Sequence, residues 1–326
     1  MKKPKTYFLK DSLLIGKRTL LITLKPKTPE DELDFLAGQY ASINFIHNFR
    51  PSPARCFSIV SSPYEKAELQ FAIRIGGDFT KKLKRLPIDT KFQINGPYGD
   101  FVIDENLDKH AIFLAAGIGV TPFISMIKYL SDVKSKITIT LFYSNTTQDN
   151  IPFYDDLMRL TSINPNFKVI FFVSNGPMDP AKKGFFIANY IEIEHIKRIV
   201  KRRANSFTYF ICGPTKFIND LNHDLININV KPEKIIIEQF TSSNQISSIS
   251  NLPNKKLEKS IYILLGATMI FGIIFIAAID NLWAIPQVQN LIYKQNNNNG
   301  FVIQLNQNNP NSIYLHNNHS PITSVS

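Results

Sequence analysis

Cysteine is nearly missing: Cys56 and Cys212 are the only two in 326 residues, and they lie far apart. That excludes a disulfide framework, a cysteine-rich zinc site and a plant-type [2Fe–2S] set, and it fits a reducing compartment. Histidine is scarce as well, and the six present include no pair at metal-ligand spacing in an apolar helix, so nothing marks a haem-carrying chain. The first ten residues are basic but lack the apolar core of a secretory signal, which keeps the first domain in the cytoplasm. Acidic side chains are the minority, 26 against 37 Lys and Arg. The basic excess is dispersed apart from short clusters at Lys81–Arg85 and Lys201–Arg203, with no stacking aromatics among them. This argues against a nucleic-acid partner and for a solvated basic face, near lipid or an acidic protein.

From Tyr7 to about Ile103, short β-rich runs alternate with turn residues: Thr19–Leu24, Tyr40–Phe45, Cys56–Val60, Leu69–Ile75 and Lys91–Ile94. That spacing predicts a small antiparallel barrel or sandwich. From Lys109 to Phe240 apolar strands at 111–114, 137–143, 168–173, 209–212 and 235–238 are separated by helix-length segments, the pattern of a doubly wound parallel sheet. Its first strand runs into Gly117-Ile118-Gly119-Val120-Thr121-Pro122 and then an apolar helix. Strand, glycine turn and helix start in that order suit an anion, because free N–H groups and the positive end of the helix dipole face it. Pro122 stands where a Rossmann fingerprint has its third glycine.

A Ser/Asn-rich linker comes next, and then Ile261–Ile279 runs without a charge. As a helix it would span roughly 28 Å, close to the hydrocarbon thickness of a bilayer. Lys255, Lys256 and Lys259 precede it and only Lys294 comes after, so the positive-inside bias holds the amino-terminal side in the cytoplasm and the tail outside. The tail is Asn/Gln-rich and is expected to lack fixed structure, although Gly300–Leu305 has the pattern of a short strand that a partner would complete.

The chemistry begins at Arg55-Cys56-Phe57-Ser58. A guanidinium clamps a pyrophosphate, an aromatic ring lies against a flat heterocycle, and a hydroxyl hydrogen-bonds a ring nitrogen; one strand would grip both ends of a flavin. In this order the residues resemble the R-x-[YF]-[ST] motif of the ferredoxin:NADP reductase superfamily, and further motifs occur in the family's order over roughly residues 5–240. Gly38-Gln39-Tyr40 resembles its GQY strand start. Gly76-Gly77 with Thr80 is similar to the turn that binds the flavin pyrophosphate, and Gly96-Pro97-Tyr98-Gly99-Asp100-Phe101 to the exit from the flavin barrel. Gly117, Gly119, Thr121 and Pro122 resemble the GxGxTP loop for the nicotinamide nucleotide, with Thr121 near nicotinamide and flavin. Cys212-Gly213-Pro214 resembles the CGP motif that sets a thiol beside nicotinamide C4, and Glu238-Gln239-Phe240 the closing segment beside the flavin.

The resemblance implies residues 1–104 as an FAD-binding β-barrel and 105–240 as an NAD(P)-binding α/β domain; composition and hydropathy add 241–260 as linker, 261–283 as one transmembrane helix and 284–326 as tail. It implies an enzyme in which NADH or NADPH reduces FAD and electrons leave for a separate acceptor: a ferredoxin, quinone, haem or iron–sulfur protein. Ser58, Thr121, Cys212 and Glu238 are the implied catalytic set. Two departures matter. Phe57 replaces the commoner tyrosine, and neither Phe142–Thr147 nor Ser174-Asn175 carries the arginine that pairs with a 2′-phosphate, so NADH should serve at least as well as NADPH. The competing reading is a flavin-fold binding module or redox sensor that docks a membrane partner without turnover.

Overall fold

The computed structural model describes residues 3–47, 50–105, 109–240, 301–305 and 313–317. The chain divides into two compact units, Met1–Ser242 and Ser243–Ser326. The first unit opens with seven antiparallel strands: β1 (Lys5–Ile15), β2 (Thr19–Pro26), β3 (Tyr40–His47), β4 (Arg50–Pro51), β5 (Arg55–Ser58), β6 (Leu69–Arg74) and β7 (Lys91–Tyr98). Their order is β4-β3-β7-β1-β2-β6, and β5 pairs with β3 on the edge that β4 also uses, at Tyr40–Ile43. An Ile59–Phe71 bridge and a hydrogen bond from the Val60 N–H to the Gln70 carbonyl (2.9 Å) join the end of β5 to β6 and close the ring. Period-two alternation fills it: Leu20, Ile22 and Leu24 of β2, Ala41, Ile43 and Phe45 of β3, and Leu69, Phe71 and Ile73 of β6 all point inward. The short helix α1 (Asp78–Leu83) lies between β6 and β7 and adds Leu83 to this core.

β1 is not marked by the sequence pattern. Its register shifts between Leu9 and Asp11, and such a bulge breaks the alternation by which a strand is recognised.

The second half of the unit is a six-stranded, all-parallel sheet. Its elements are β8 (His110–Ala116), α2 (Thr121–Asp132), β9 (Thr138–Asn145), α3 (Tyr154–Ile163), β10 (Phe167–Val173), β11 (Phe185–Ile187), α4 (Ile193–Val200), β12 (Thr208–Cys212), α5 (Thr215–Asn227) and β13 (Ile235–Glu238). The order β11-β10-β9-β8-β12-β13 reverses direction between β8 and β12, so a crevice opens at the carboxyl ends of those two strands. Alternate residues serve the two faces. Phe113, Ala115, Phe210 and Cys212 pack with α2 and α3, whereas Ile112, Leu114, Tyr209 and Ile211 pack with α4 and α5.

Helix α2 is buried on nearly every side because the barrel covers what the sheet does not. Its Phe123, Met126 and Ile127 share one core with Ala37, Val60, Ala72 and Phe101 of the barrel half. The Ser125 hydroxyl donates to the Ser61 carbonyl (2.7 Å), and the Lys128 ammonium to the Gln70 amide oxygen (3.2 Å). Gly38 makes the approach possible: its φ is +103°, and a Cβ there would lie 2.1 Å from the Phe101 carbonyl oxygen.

In the second unit, β14 (Phe301–Leu305) pairs antiparallel with β15 (Ile313–Asn317). The strand pattern expected at 300–305 is present as β14, and the rest of the expected tail, β15 apart, lies outside the described residues. The expected linker and the span at 261–283 lie outside the described residues; among those described, no helix is long and apolar enough to cross a membrane.

Candidate functional site

On the barrel side the site grows from β5. The pleat divides its four residues: Arg55 and Phe57 turn toward α1, while Cys56 and Ser58 lie opposite Ser42 and Tyr40 of β3 and share their face. The expectation of one four-residue grip therefore resolves into two faces, because successive strand residues cannot point the same way. Phe57 is half-buried and stacks on Phe79 of α1 (ring centroids 6.1 Å), and the Arg55 guanidinium lies over the same Phe79 ring at 6.0 Å. Among the described residues Arg55 has no carboxylate partner; its one hydrogen bond is to the Ala54 carbonyl (3.2 Å). Ser58 is buried at the end of β5, and burial raises the pKa of the Cys56 thiol.

The turn at the end of β6 carries Gly76, Gly77 and Thr80, which the sequence marks for an anion. The Thr80 hydroxyl accepts from the Gly76 N–H (2.9 Å) and donates to the Gly77 carbonyl (2.8 Å), so it shapes the turn from within. Nothing lies within 4 Å of where a Cβ on Gly76 or Gly77 would stand, and no side chain caps α1. Open backbone, uncapped amides and an unpaired guanidinium together fit a pyrophosphate.

On the sheet side a cavity of about 760 Å³ occupies the crevice between β8 and β12. Its floor is the 3-10 turn Gly117–Val120. Gly117 has φ +55° and nothing near its missing Cβ, so the backbone faces open space. Gly119 is glycine for the opposite reason: a Cβ there would come 2.3 Å from the Cys212 carbonyl oxygen. Gly213 is likewise pressed on Phe217 and Ala116. The sequence-predicted Gly117, Gly119, Gly213, Pro214 and Phe240 all line this cavity. So do Arg18 and Arg74, which no motif singles out because they come from the barrel half, on β2's leading turn and β6. The β1–β2 turn is held in place by an ion pair from Lys17 to Asp149 and by the Lys17 N–H donating to the Asn150 side-chain oxygen (2.7 Å).

Between the two sides lies a group of ionisable residues. Glu238 stands beside Cys212 in the parallel register of β12 and β13. Burial, with the Asp100 charge adding to it, pushes the Glu238 carboxyl up to about 7. Cys212 is fully buried on the barrel-facing side of the sheet, and desolvation holds its thiol well above the usual range; it sits as a thiol, not a thiolate. The Tyr40 phenol, raised by burial, feels the charges of Cys56, Glu238, Tyr98 and Asp100, and its ring meets Tyr98 at 5.7 Å. Gly99, with φ +96°, lets the Tyr40 ring approach the place of its missing Cβ to 3.0 Å. Asp100 reads in sequence as part of a turn motif; its charge near Glu238 emerges only in three dimensions.

Thr121 and Pro122, like Cys212 and Glu238, lie off the cavity lining. Thr121 and Pro122 are buried at the start of α2, and the Thr121 hydroxyl donates to the Ile118 carbonyl (3.0 Å), which closes the 3-10 turn.

The family model for an oxidoreductase FAD-binding domain matches residues 7–103, and that for an oxidoreductase NAD-binding domain matches residues 113–223. The plasma membrane-associated coenzyme Q6 reductase PGA3 of Saccharomyces cerevisiae is 25% identical over 63% of this chain and 65% of its own length, so the chain covers less than two thirds of that relative. NADH-cytochrome b5 reductase 1 of Aspergillus terreus is 23% identical over 65% of this chain and 74% of its own. In fold, the cytochrome b5 reductase domain of Ulva prolifera nitrate reductase superposes with a TM-score of 0.61 at 20% identity, covering 72% of this chain and 97% of that one. With a flavin-type barrel, a nucleotide-type sheet and both domain models in sequence order, this chain belongs to the ferredoxin reductase-like FAD- and NAD(P)-dependent oxidoreductases.

Proposed function

We propose that this protein is a membrane-anchored reductase that takes electrons from NADH or NADPH onto FAD and passes them to a membrane acceptor, a quinone or a haem or iron–sulfur protein. The observation that carries the reading is the single crevice in which Gly117–Gly119, Gly213-Pro214 and Phe240 meet Arg18 and Arg74 of the barrel half. The Cys212 carbonyl backs this crevice at Gly119, and Glu238 pairs with Cys212 on the neighbouring strand.

FAD, when bound, supplies the two-electron chemistry and the step down to single electrons. The chain's own residues bind and orient. Arg55, with the Gly76-Gly77 turn, holds the pyrophosphate; Phe57 offers a ring face; Ser58 presents a hydroxyl; Cys56 is a neighbour on Ser58's face. Gly117 and Gly119 cradle the nicotinamide nucleotide, with Arg18 and Arg74 answering its phosphates. Thr121 and Pro122 set the turn. Cys212 would back the reacting end from within the sheet as a neutral, buried thiol, and Glu238, its carboxyl raised to about 7, would hold or release a proton there.

The acceptor lies outside these residues, since two separated cysteines and scattered histidines cannot hold a cluster or haem. The relatives named for coenzyme Q6 and cytochrome b5 support an acceptor of that kind. The apolar run at 261–279, preceded by three lysines, supports a single span with the flavin half in the cytoplasm and the tail outside. The span would raise the effective concentration of reductase at its acceptor. With no arginine on Ser144–Thr146 or at Ser174, and with Asp220 and Asp224 of α5 facing the same cavity, NADH serves at least as well as NADPH.

The test is the full chain in detergent, loaded with FAD. Anaerobic NADH should bleach the flavin, and quinone in added vesicles should restore its colour; a protein that binds no FAD, or whose flavin neither nucleotide bleaches, defeats the reading. Protease added outside intact cells should trim only the tail, and digestion of the flavin half would defeat the topology.

A further inference from the structure

The basic run Lys81–Arg85 takes no part in the sites described above. Leu83 is buried in the barrel core, and Phe79 and Leu86 pack against that core, which turns the opposite face of α1 and its exit outward. Lys81, Lys82, Lys84 and Arg85 all stand exposed on it. Among the described residues none of the four has an ion-pair partner, whereas Lys10, Lys25 and Lys66 elsewhere on the barrel each pair with a carboxylate. The arrangement works against the helix. Lys81 and Lys84, Lys82 and Arg85, and Lys81 and Arg85 are three or four positions apart, so like charges meet on neighbouring turns. The helix dipole favours cations at this end but does not remove their mutual repulsion.

The turn beyond adds an apolar tip. The Asp89 N–H donates to the Leu9 carbonyl (2.8 Å), the Thr90 hydroxyl donates to the Pro87 carbonyl (2.6 Å), and the Asp89 carboxylate pairs with Lys25 (3.0 Å). Ile88 is thus held in a fixed turn with 54% of it exposed. Lys25 also cancels the charge of Asp89, so from Asp78 to Lys91 only Asp78 opposes the cations.

We propose that this face, α1 with the Pro87–Asp89 turn, lies against a lipid bilayer and takes its anionic headgroups, with Ile88 reaching the boundary of the acyl chains. An anionic bilayer fits the pattern better than an acidic protein does. Protein interfaces are depleted in lysine and rely on well-packed aromatic or arginine anchors. Here three of the four cations are lysines without a fixed partner, which suits a fluid layer of headgroups that requires only sign and proximity. An aliphatic tip beside cations is the interfacial combination. The surface belongs to the barrel and acts whether or not the run at 261–279 spans a membrane.

The experiment mixes the FAD-loaded full chain with vesicles of phosphatidylcholine, alone or with about one third phosphatidylserine, and reads each lysine by amine acetylation and mass spectrometry. One cation near an anionic surface raises partition about fivefold, and salt screens the attraction. Acetylation of Lys81, Lys82 and Lys84 should therefore fall about three- to tenfold with phosphatidylserine and recover in high salt, while the exposed Lys134 and Lys201 react alike in both samples. Lys84→Ala with Arg85→Ala should lose most of the protection at Lys81 and Lys82, and Ile88→Ser part of it, with FAD content, flavin reduction by NADH and melting temperature unchanged. Equal acetylation of the wild type with both vesicles overturns the proposal, as does protection that persists in the double variant. Protection by added polyglutamate but not by phosphatidylserine overturns it too and assigns the face to an acidic protein. The span and this surface fail separately. A chain that floats only with phosphatidylserine vesicles, releases in salt and is protected at Lys81, Lys82 and Lys84 keeps the surface and removes the span. One that inserts into phosphatidylcholine and gains no protection from phosphatidylserine keeps the span and removes the surface.

Discussion

Gly76 and Gly77 on the barrel side stand in open space, with nothing within 4 Å of a Cβ, whereas Gly119 and Gly213 on the sheet side are pressed to within 3 Å of backbone or side-chain atoms. Both pairs belong to turns to which the proposed function assigns a nucleotide. On the barrel side, glycine leaves room for the ligand and the fold does not need it. On the sheet side, glycine lets the turn after β8 sit against the end of β12, so the nucleotide crevice and the packing of the sheet are the same contact. The barrel's site is an attachment to a finished ring; the sheet's site is part of what finishes the sheet.

The comparison breaks first at Gly119. Gly119→Ala puts a methyl 2.3 Å from the Cys212 carbonyl oxygen, which is backbone and cannot swing aside. The expected cost is about 3 kcal/mol in stability, with loss of nucleotide binding. Thermal unfolding checks the first and NADH titration the second; a variant that melts with the wild type would show that the turn and β12 are not coupled.

Next in size is Arg55→Ala. Its guanidinium touches only the Ala54 carbonyl and the Phe79 ring, so the apoprotein should melt within a degree or two of wild type. Charge-assisted bonds to a pyrophosphate contribute about 1.5–3 kcal/mol, so FAD affinity should fall roughly ten- to a hundredfold. Equilibrium dialysis measures it, and full retention of FAD would move the pyrophosphate elsewhere.

Glu238 tests the boundary between the two sides. Its carboxyl is raised from 4.5 to about 7 by burial and then by Asp100. The folded protein therefore holds this proton more tightly than the unfolded chain does. The stabilisation is fully present below about pH 4.5 and is lost as pH rises through 7. Glu238→Gln cannot ionise, so it should flatten the pH dependence in that window and be more stable than wild type by about 2 kcal/mol at pH 8. Melting temperatures at pH 5 and pH 8 decide it. Flavin reduction by NADH should also lose an inflection near pH 7 if Glu238 carries the proton.

These effects bear on what the sequence could disclose. Local patterns were legible: the alternation of β2, β3 and β6, five of the six strands of the parallel sheet, and the glycine turns. What was hidden depends on partners distant in sequence. Phe79 joins the flavin side because α1 folds back beside β5, and Arg18 and Arg74 reach the cavity because a barrel turn docks on the loop after β9. The three-residue edge strand β11 is too short for any periodicity to mark it. Thr121 shows the reverse: its motif was plain, but its hydroxyl is spent on Ile118.

The smallest effect on the fold, and the sharpest form of the comparison, is Gly77→Ala. Gly77 has an ordinary extended φ of −96° at the amino cap of α1, so a methyl group meets neither strain nor a neighbour. Alanine is a poorer cap than glycine, by about 0.5 kcal/mol, but it also restricts the unfolded chain by a similar amount, and the two nearly cancel. The apoprotein should therefore melt with the wild type, in contrast to Gly119→Ala. If the pyrophosphate lies on this turn, however, the methyl fills space that the ligand needs, and FAD affinity should fall while the apo melting temperature stays put. A calorimetric FAD titration beside an apo melting curve separates the outcomes. Unchanged affinity would mean that the open turn is only a turn, and that Arg55 alone fixes the phosphate end of the flavin.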